Sequence, residues 1–122
     1  MTNASLLGHF EQLVLAAILS LGEDAYGVSI HAKAEELACP KRITLGATYT
    51  TLDRLEDKKL ITSWLSDPTP ERGGRAKRYY RLQNAGERAL RESAITARRI
   101  CATLEQSWGE IAWTPKWKPV RP

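Results

Sequence analysis

The sequence predicts a mainly α-helical chain with a two-stranded β wing, a winged helix-turn-helix followed by one long C-terminal helix. Three observations carry this. Two apolar-periodic stretches precede a short helix at Thr44–Lys58. Two strand-like segments, Leu60–Asp67 and Lys77–Gln83, flank a loop with two prolines and the pair Gly73-Gly74, too long for a tight turn. From residue 84 onward the apolar residues recur in a heptad rhythm. The expected organisation is 1–83 for the winged unit, 84–111 for a dimerisation helix and 112–122 for a tail of Pro, Trp and cations.

In chain order, Leu6, Phe10, Leu13, Val14, Ala17, Ile18 and Leu21 keep helical spacing, and Gly22 can end that helix in a left-handed conformation. Asp24 is the expected cap of a second helix whose inward stripe is Tyr26, Ile30, Ala34 and Leu37. Cys39-Pro40 closes it, because the residue before a proline avoids helical geometry.

Thr44 can cap the third helix by accepting a bond from an otherwise unpaired amide. Asp53, Glu56 and Asp57 read as solvated helix residues, and Leu45, Leu52 and Leu55 share one side, with Tyr49 at its edge. The other side offers Ala47, Thr50, Thr51, Arg54 and Lys58. A small, hydroxylic face of this kind suits a DNA major groove about 12 Å wide, where Thr can bond base edges or meet a thymine methyl. The hairpin that follows is basic: Arg72, Arg75, Lys77, Arg78 and Arg81 fall within ten residues that hold no acid. The expected DNA-binding residues are therefore Thr44, Ala47, Tyr49, Thr50, Thr51 and Arg54 on the helix, and Arg72, Arg75, Lys77 and Arg78 on the wing. The plain alternative for the hairpin is a solvated charged loop.

Composition agrees. With 43% hydrophobic and 26% charged residues the chain falls in the globular range, and 122 residues make one domain. The net charge of +4 is uneven. Residues 1–38 hold Lys33 against Glu11, Glu23, Asp24, Glu35 and Glu36, a net of −4, and the rest carries +8. Such asymmetry points to a polyanionic partner such as double-stranded DNA. Two cysteines 62 positions apart make no disulfide framework. No signal-like segment and no apolar run of the ~20 residues that span a bilayer is present, so the expectation is a reduced, cytoplasmic protein with no membrane partner.

Asn84 is the expected cap of the last helix, Ala85 to about Trp108. Leu90, Ala94, Ala97, Cys101, Leu104, Trp108 and Ile111 follow at spacings 4, 3, 4, 3, 4, 3. That heptad seam needs a partner, and a second copy of the chain is the expected one; folding back onto its own domain is the alternative. Trp108, with Trp113 and Trp117, either fills the core or an interface, or helps hold a small planar aromatic effector. Lys116, Lys118 and Arg121 make the tail a possible loose arm.

The blocks LGHFEQLVLAAILSLGEDAYGVSI, LGATYTTLDRLEDKKLI and PTPERGGRAKRYYRL together resemble the PadR family of bacterial transcriptional regulators, over roughly residues 6–90. The resemblance implies a dimeric winged-helix repressor that binds a pseudo-palindromic operator. It implies that the Thr44–Lys58 helix enters the major groove, that the Leu60–Gln83 hairpin touches the backbone, and that a single C-terminal helix dimerises. The family's recognition-helix tyrosine falls on Tyr49, and its wing aromatics fall on Tyr79 and Tyr80. The chain departs from the family pattern in two places. Lys59 stands where glycine is frequent, so the third helix is expected to end differently, and Tyr49-Thr50 stands where Tyr-Pro is frequent.

Enzymatic readings are weaker. His9, His31, Cys39 and Cys101 lack any metal-ligand spacing, so no metal and no cofactor is expected. His9 and His31 read as plain helix-face residues and Cys39 as buried or inert. Gly73-Gly74 lacks the setting of a phosphate loop, and no GxSxG element or poised carboxylate pair occurs. The competing non-enzymatic reading is a winged-helix protein–protein interaction module, or the DNA-binding component of a two-partner sensor. A cationic wing favours DNA over that reading, because an interaction module more often exposes an apolar patch there.

Overall fold

The computed structural model describes residues 7–66 and 76–109. Helix α1 (His9–Leu21) buries Glu11, Val14, Leu15, Ala17 and Ile18, and forms the centre of the core. It ends at Gly22, whose φ of 61° is positive as expected, but whose ψ of −120° lies outside the left-handed helical region. A 3₁₀ turn, Gly22–Asp24, follows.

Helix α2 (Gly27–Ala38) starts later than Asp24. Residues 25 and 26 are extended because the wing claims them: Tyr80 N donates to Ala25 O at 2.9 Å, and Tyr26 forms a bridge with Tyr79. Tyr26 is the cap position, and its amide donates to Ser29 Oγ at 3.0 Å. Ile30 and Ala34 reach zero exposure as expected, but Tyr26 is half-buried and Leu37 is 46% exposed.

Helix α3 (Leu45–Asp57) is capped as expected, Ala47 N donating to Thr44 Oγ1 at 3.0 Å. Its buried stripe is Thr48, Thr51, Leu52 and Leu55, an i, i+3, i+4, i+7 set. This corrects two expectations: Leu45 is 41% exposed, and Thr51 is 3% exposed and faces the core. Thr48 tolerates complete burial because its hydroxyl donates to Thr44 O at 3.3 Å.

The helix ends in a Schellman arrangement: Leu60 N donates to Leu55 O at 3.0 Å and Lys59 N to Glu56 O at 2.9 Å. Lys59 therefore sits at φ 65°, a conformation that glycine adopts without strain. The departure from glycine changes the residue but not the manner in which the helix stops.

Strands β1 (Ile61–Leu65) and β2 (Arg78–Leu82) pair antiparallel, in the register Ile61↔Leu82, Ser63↔Tyr80 and Leu65↔Arg78. Both are shorter than expected. Ile61, Tyr80 and Leu82 point into the core. On the other face Trp64 stacks on Tyr79 with centroids 6.2 Å apart, and Arg81 lies 4.9 Å over the Trp64 ring.

Helix α4 (Asn84–Trp108) begins against the sheet. Asn84 is its first residue and Gln83 the cap position, because Gln83 N donates to Leu60 O at 2.8 Å. Gly86 lies so close to the Leu60 carbonyl that a β-carbon would overlap it. Only the first turns of α4 meet the core, through Gly86 and Leu90.

A partly buried ion pair ties α1 to α3. Lys58 Nζ lies 2.7 Å from Glu11 Oε2, and the Gly8 amide donates to Glu11 Oε1 at 3.0 Å. Burial disfavours the Glu11 carboxylate, but the Lys58 and Gly8 bonds outweigh it and hold its pKa below the ordinary value. Lys58, expected on the outward face, remains half-exposed but is engaged by Glu11.

Two predictions follow from these contacts. A depressed pKa stabilises the fold above the unfolded carboxylate value, and that contribution is lost as pH falls through the folded value. Urea unfolding between roughly pH 5 and pH 3 should therefore show a steeper loss in the native chain than in Glu11→Gln. Lys59→Gly removes left-handed strain and should raise stability by about 0.5–1 kcal/mol by the same assay; an unchanged or lower midpoint would mean that the site carries no strain.

Candidate nucleic-acid interface

The exposed side of α3 presents Thr44, Ala47, Tyr49, Thr50 and Arg54, with Leu45, Gly46 and Asp53 beside them. Thr44 also caps the helix, so its hydroxyl is already engaged. Thr51 is absent from this face for the reason given above. Tyr49 is 40% exposed and leans back onto Gly27, the first residue of α2.

At the foot of the wing, Lys77 and Arg78 stand next to that tyrosine. Tyr26, Gly27, Val28, Tyr49, Ala76, Lys77 and Arg78 line a common cleft of about 360 Å³. Lys77 Nζ sits 4.0 Å from the Tyr26 ring centroid, a cation–π contact that aims the ammonium. Arg78 Nη1 donates to Ser63 Oγ at 2.8 Å, and Ser63 Oγ donates to Glu56 Oε2 at 2.7 Å. Glu56 is therefore a half-buried partner of the sheet and not a solvated helix residue. Arg72 and Arg75 lie outside the described residues.

The chain entering α3 is gripped from α2 by two residues to which sequence reasoning gave no role. His31 Nε2 is 2.6 Å from Ile43 O, and Glu35 Oε2 accepts from Ile43 N at 3.0 Å and from Arg42 Nε at 3.1 Å. Both polar groups of the Ile43 backbone are thus held one residue before the Thr44 cap. The Ile43 amide first, and Arg42 second, keep the Glu35 carboxyl below its usual pKa. The i, i+4 spacing of His31 and Glu35 was the available signal, but nothing local says which backbone the pair will meet.

On α4, Leu90, Cys101 and Leu104 are half-buried, Ala94 and Ala97 are exposed, and Trp108 is 75% exposed. Ile100, at 54% exposure, widens the same stripe, whereas Ile95, at 47%, lies off it. Ile111 lies outside the described residues, as do Trp113 and Trp117. Cys39 is exposed, which rules out the buried alternative expected for it. Among the described residues no group of three His, Cys, Asp or Glu side chains could hold a metal ion, and no helix is long and apolar enough to cross a membrane.

Residues 14–92 match the family described as the transcriptional regulator PadR-like family. The chain belongs to the PadR-like family of transcriptional regulators. A PadR family regulator from Clostridium difficile R20291 superposes with a TM-score of 0.68 at 25% identity, covering 84% of this chain and 100% of that one. A PadR family regulator from Eggerthella lenta gives 0.62 at 25% identity, covering 78% and 80%. Bordetella bronchiseptica BpsR, whose DNA binding is regulated by 6-hydroxynicotinic acid, shares the fold with a TM-score of 0.62 at 19% identity over 85% of this chain and 69% of its own. No curated protein matches the sequence. As a PadR-like protein the chain is a DNA-binding regulator and not an enzyme, and its helices and two-stranded sheet are the winged helix of that family.

The His31–Glu35 grip gives a direct test. Glu35→Ala removes the acceptor of the Ile43 amide, so that amide, protected in the native chain, should exchange quickly while core amides such as Leu52 stay protected. Equal exchange at Ile43 in both chains would mean that Glu35 does not hold the turn.

Proposed function

We propose that this PadR-like chain is a homodimeric repressor, cytoplasmic, that reads a pseudo-palindromic operator and is released by a small effector. The carrying observation is the pairing of an exposed α3 face with two cations at the wing foot, on the same side of the domain as their shared cleft. Ala47, Thr50 and Arg54 read base edges, and Thr44 positions the helix start. Lys77 and Arg78, together with Arg72 and Arg75 of the loop, contact phosphates. In domain terms, residues 1–83 bind DNA, 84–111 dimerise and 112–122 are the tail of Pro, Trp and cations.

Support for the dimer comes from α4. A helix of 25 residues runs about 37 Å, and its own domain covers only the beginning. The remaining stripe of Ala94, Ala97, Cys101, Leu104 and Trp108, with Ile100 at its edge, is exposed or only half-buried, an apolar run that a monomer rarely leaves open. Two such domains pair with a two-fold-symmetric site whose half-sites lie about one helical turn, roughly 10 bp, apart. Trp108, largely exposed on that stripe, is the candidate wall for a planar aromatic effector.

The reading is tested on duplexes enriched from a randomised pool by the native protein. Arg54→Ala should relax preference at particular base pairs, by about 1–3 kcal/mol for a direct contact. Lys77→Ala should weaken all duplexes alike and reduce the salt slope by roughly one. A pool that yields no enriched sequence would overturn operator-specific binding. Leu104→Asp should give a folded monomer with lost operator affinity; a variant that sediments as a dimer would remove α4 from the interface.

A further inference from the structure

Gly27 is the first residue of α2, and neither helix geometry nor backbone conformation asks for glycine there. Its φ is not among the positive values, which among the glycines of the described residues belong to Gly22 and Gly109 alone. What it lacks is room: a β-carbon at Gly27 would overlap the hydroxyl of Tyr49 and the ring carbons next to it. Gly27 is itself buried under that ring. The floor beneath it is fixed, since Tyr26 bridges Tyr79 and packs edge-on against it with centroids 5.6 Å apart.

The seated hydroxyl has no hydrogen-bond partner among the described residues, although it stands at the rim of the cleft that Lys77 and Arg78 also line. A phenol at the mouth of a cleft that two cations also line can donate to an anionic oxygen drawn there. We infer that Gly27 is a positioning residue for DNA binding: its missing side chain seats Tyr49 so that the hydroxyl donates to a backbone phosphate between α3 and the wing. This rests on the DNA-binding reading above and adds to it a residue that touches no DNA itself.

Tyr49 is exposed enough to swing outward, so displacing it disturbs binding far more than folding. The role therefore separates from a structural one. The full chain is tested against the duplex it enriches and against an unrelated duplex, with thermal unfolding measured alongside. Tyr49→Phe should weaken both duplexes by a similar factor, roughly three- to tenfold, as loss of one neutral donor to the backbone. Gly27→Ala should lose at least as much on both. In a Tyr49→Ala background, Gly27→Ala should have no further effect, because nothing is left to displace.

Equal binding by Gly27→Ala and the native chain overturns the inference, as does an equal added loss in the Tyr49→Ala background. A Tyr49→Phe loss confined to the enriched duplex overturns the phosphate assignment. If Gly27→Ala does not fold, the double variant with Tyr49→Ala must fold and melt with Tyr49→Ala alone; a double that also fails assigns Gly27 to the core and ends the inference. Failure of the native chain to bind any duplex is a different result, and sinks the DNA reading itself.

Discussion

The packing of α3 against α1 and α2 is the constraint on which the remainder depends. Leu52 and Leu55 reach zero exposure there together with Thr48, and Thr51 nearly so. Once those four positions are buried, the rotation of the helix about its axis is set, and Ala47, Thr50 and Arg54 have nowhere to go but outward. A large-to-small change such as Leu52→Ala, costing about 2–5 kcal/mol, would therefore loosen the reading face as well as the core. The same packing explains the ends of the helix. At its start Ile43 is held by His31 and Glu35, and at its end Lys58 is held by Glu11. Both anchors are charge-assisted contacts from neighbouring helices, so α3 is held at both ends as well as along its buried face.

The wing is joined to that frame twice. Its second strand bonds Ala25 ahead of α2, and Leu60, just ahead of its first strand, accepts from Gln83 and crowds Gly86 at the start of α4. Consequently Lys77 and Arg78 are placed by the same elements that place α3, and α4 leaves the domain in a defined direction. The helix pair of a dimer inherits that direction. In the proposed dimer, a change in the contact between the two α4 helices would be passed to the spacing of the two α3 faces through the start of each helix. This is the route an effector on the α4 stripe has available, provided that it binds one spacing better than another.

Much of this was legible in the sequence. Element order, the Thr44 cap, the glycine end of α1 and the uncovered apolar stripe of α4 all depend on local chemistry, and local chemistry is what a sequence displays. The misreadings share a cause. Leu45 was assigned inward on its helical spacing to Leu52 and Leu55, yet the buried face is centred on Thr48, Thr51, Leu52 and Leu55, and a hydroxyl such as that of Thr48, which bonds its own helix, is buried at little penalty. Asp24 lost its capping role to a strand more than fifty residues later in the chain. Glu56 was taken as solvated, and Lys58 as part of the outward face, because their partners, Ser63 and Glu11, are set by tertiary packing. His31 looked idle for the same reason, and the grip on Ile43 becomes visible only when α2 and the turn are placed side by side.

The central claim is that one side of the domain, made of the outward α3 face and the wing foot, meets DNA. Amide shift mapping of the isotope-labelled chain titrated with its enriched duplex measures this directly. The account predicts the largest changes at Ala47, Thr50, Arg54, Lys77 and Arg78, with Val14 to Ile18 in the α1 core left in place. Perturbation centred on α1 or on the back of the wing at Trp64 and Arg81, with the α3 face unmoved, would contradict it.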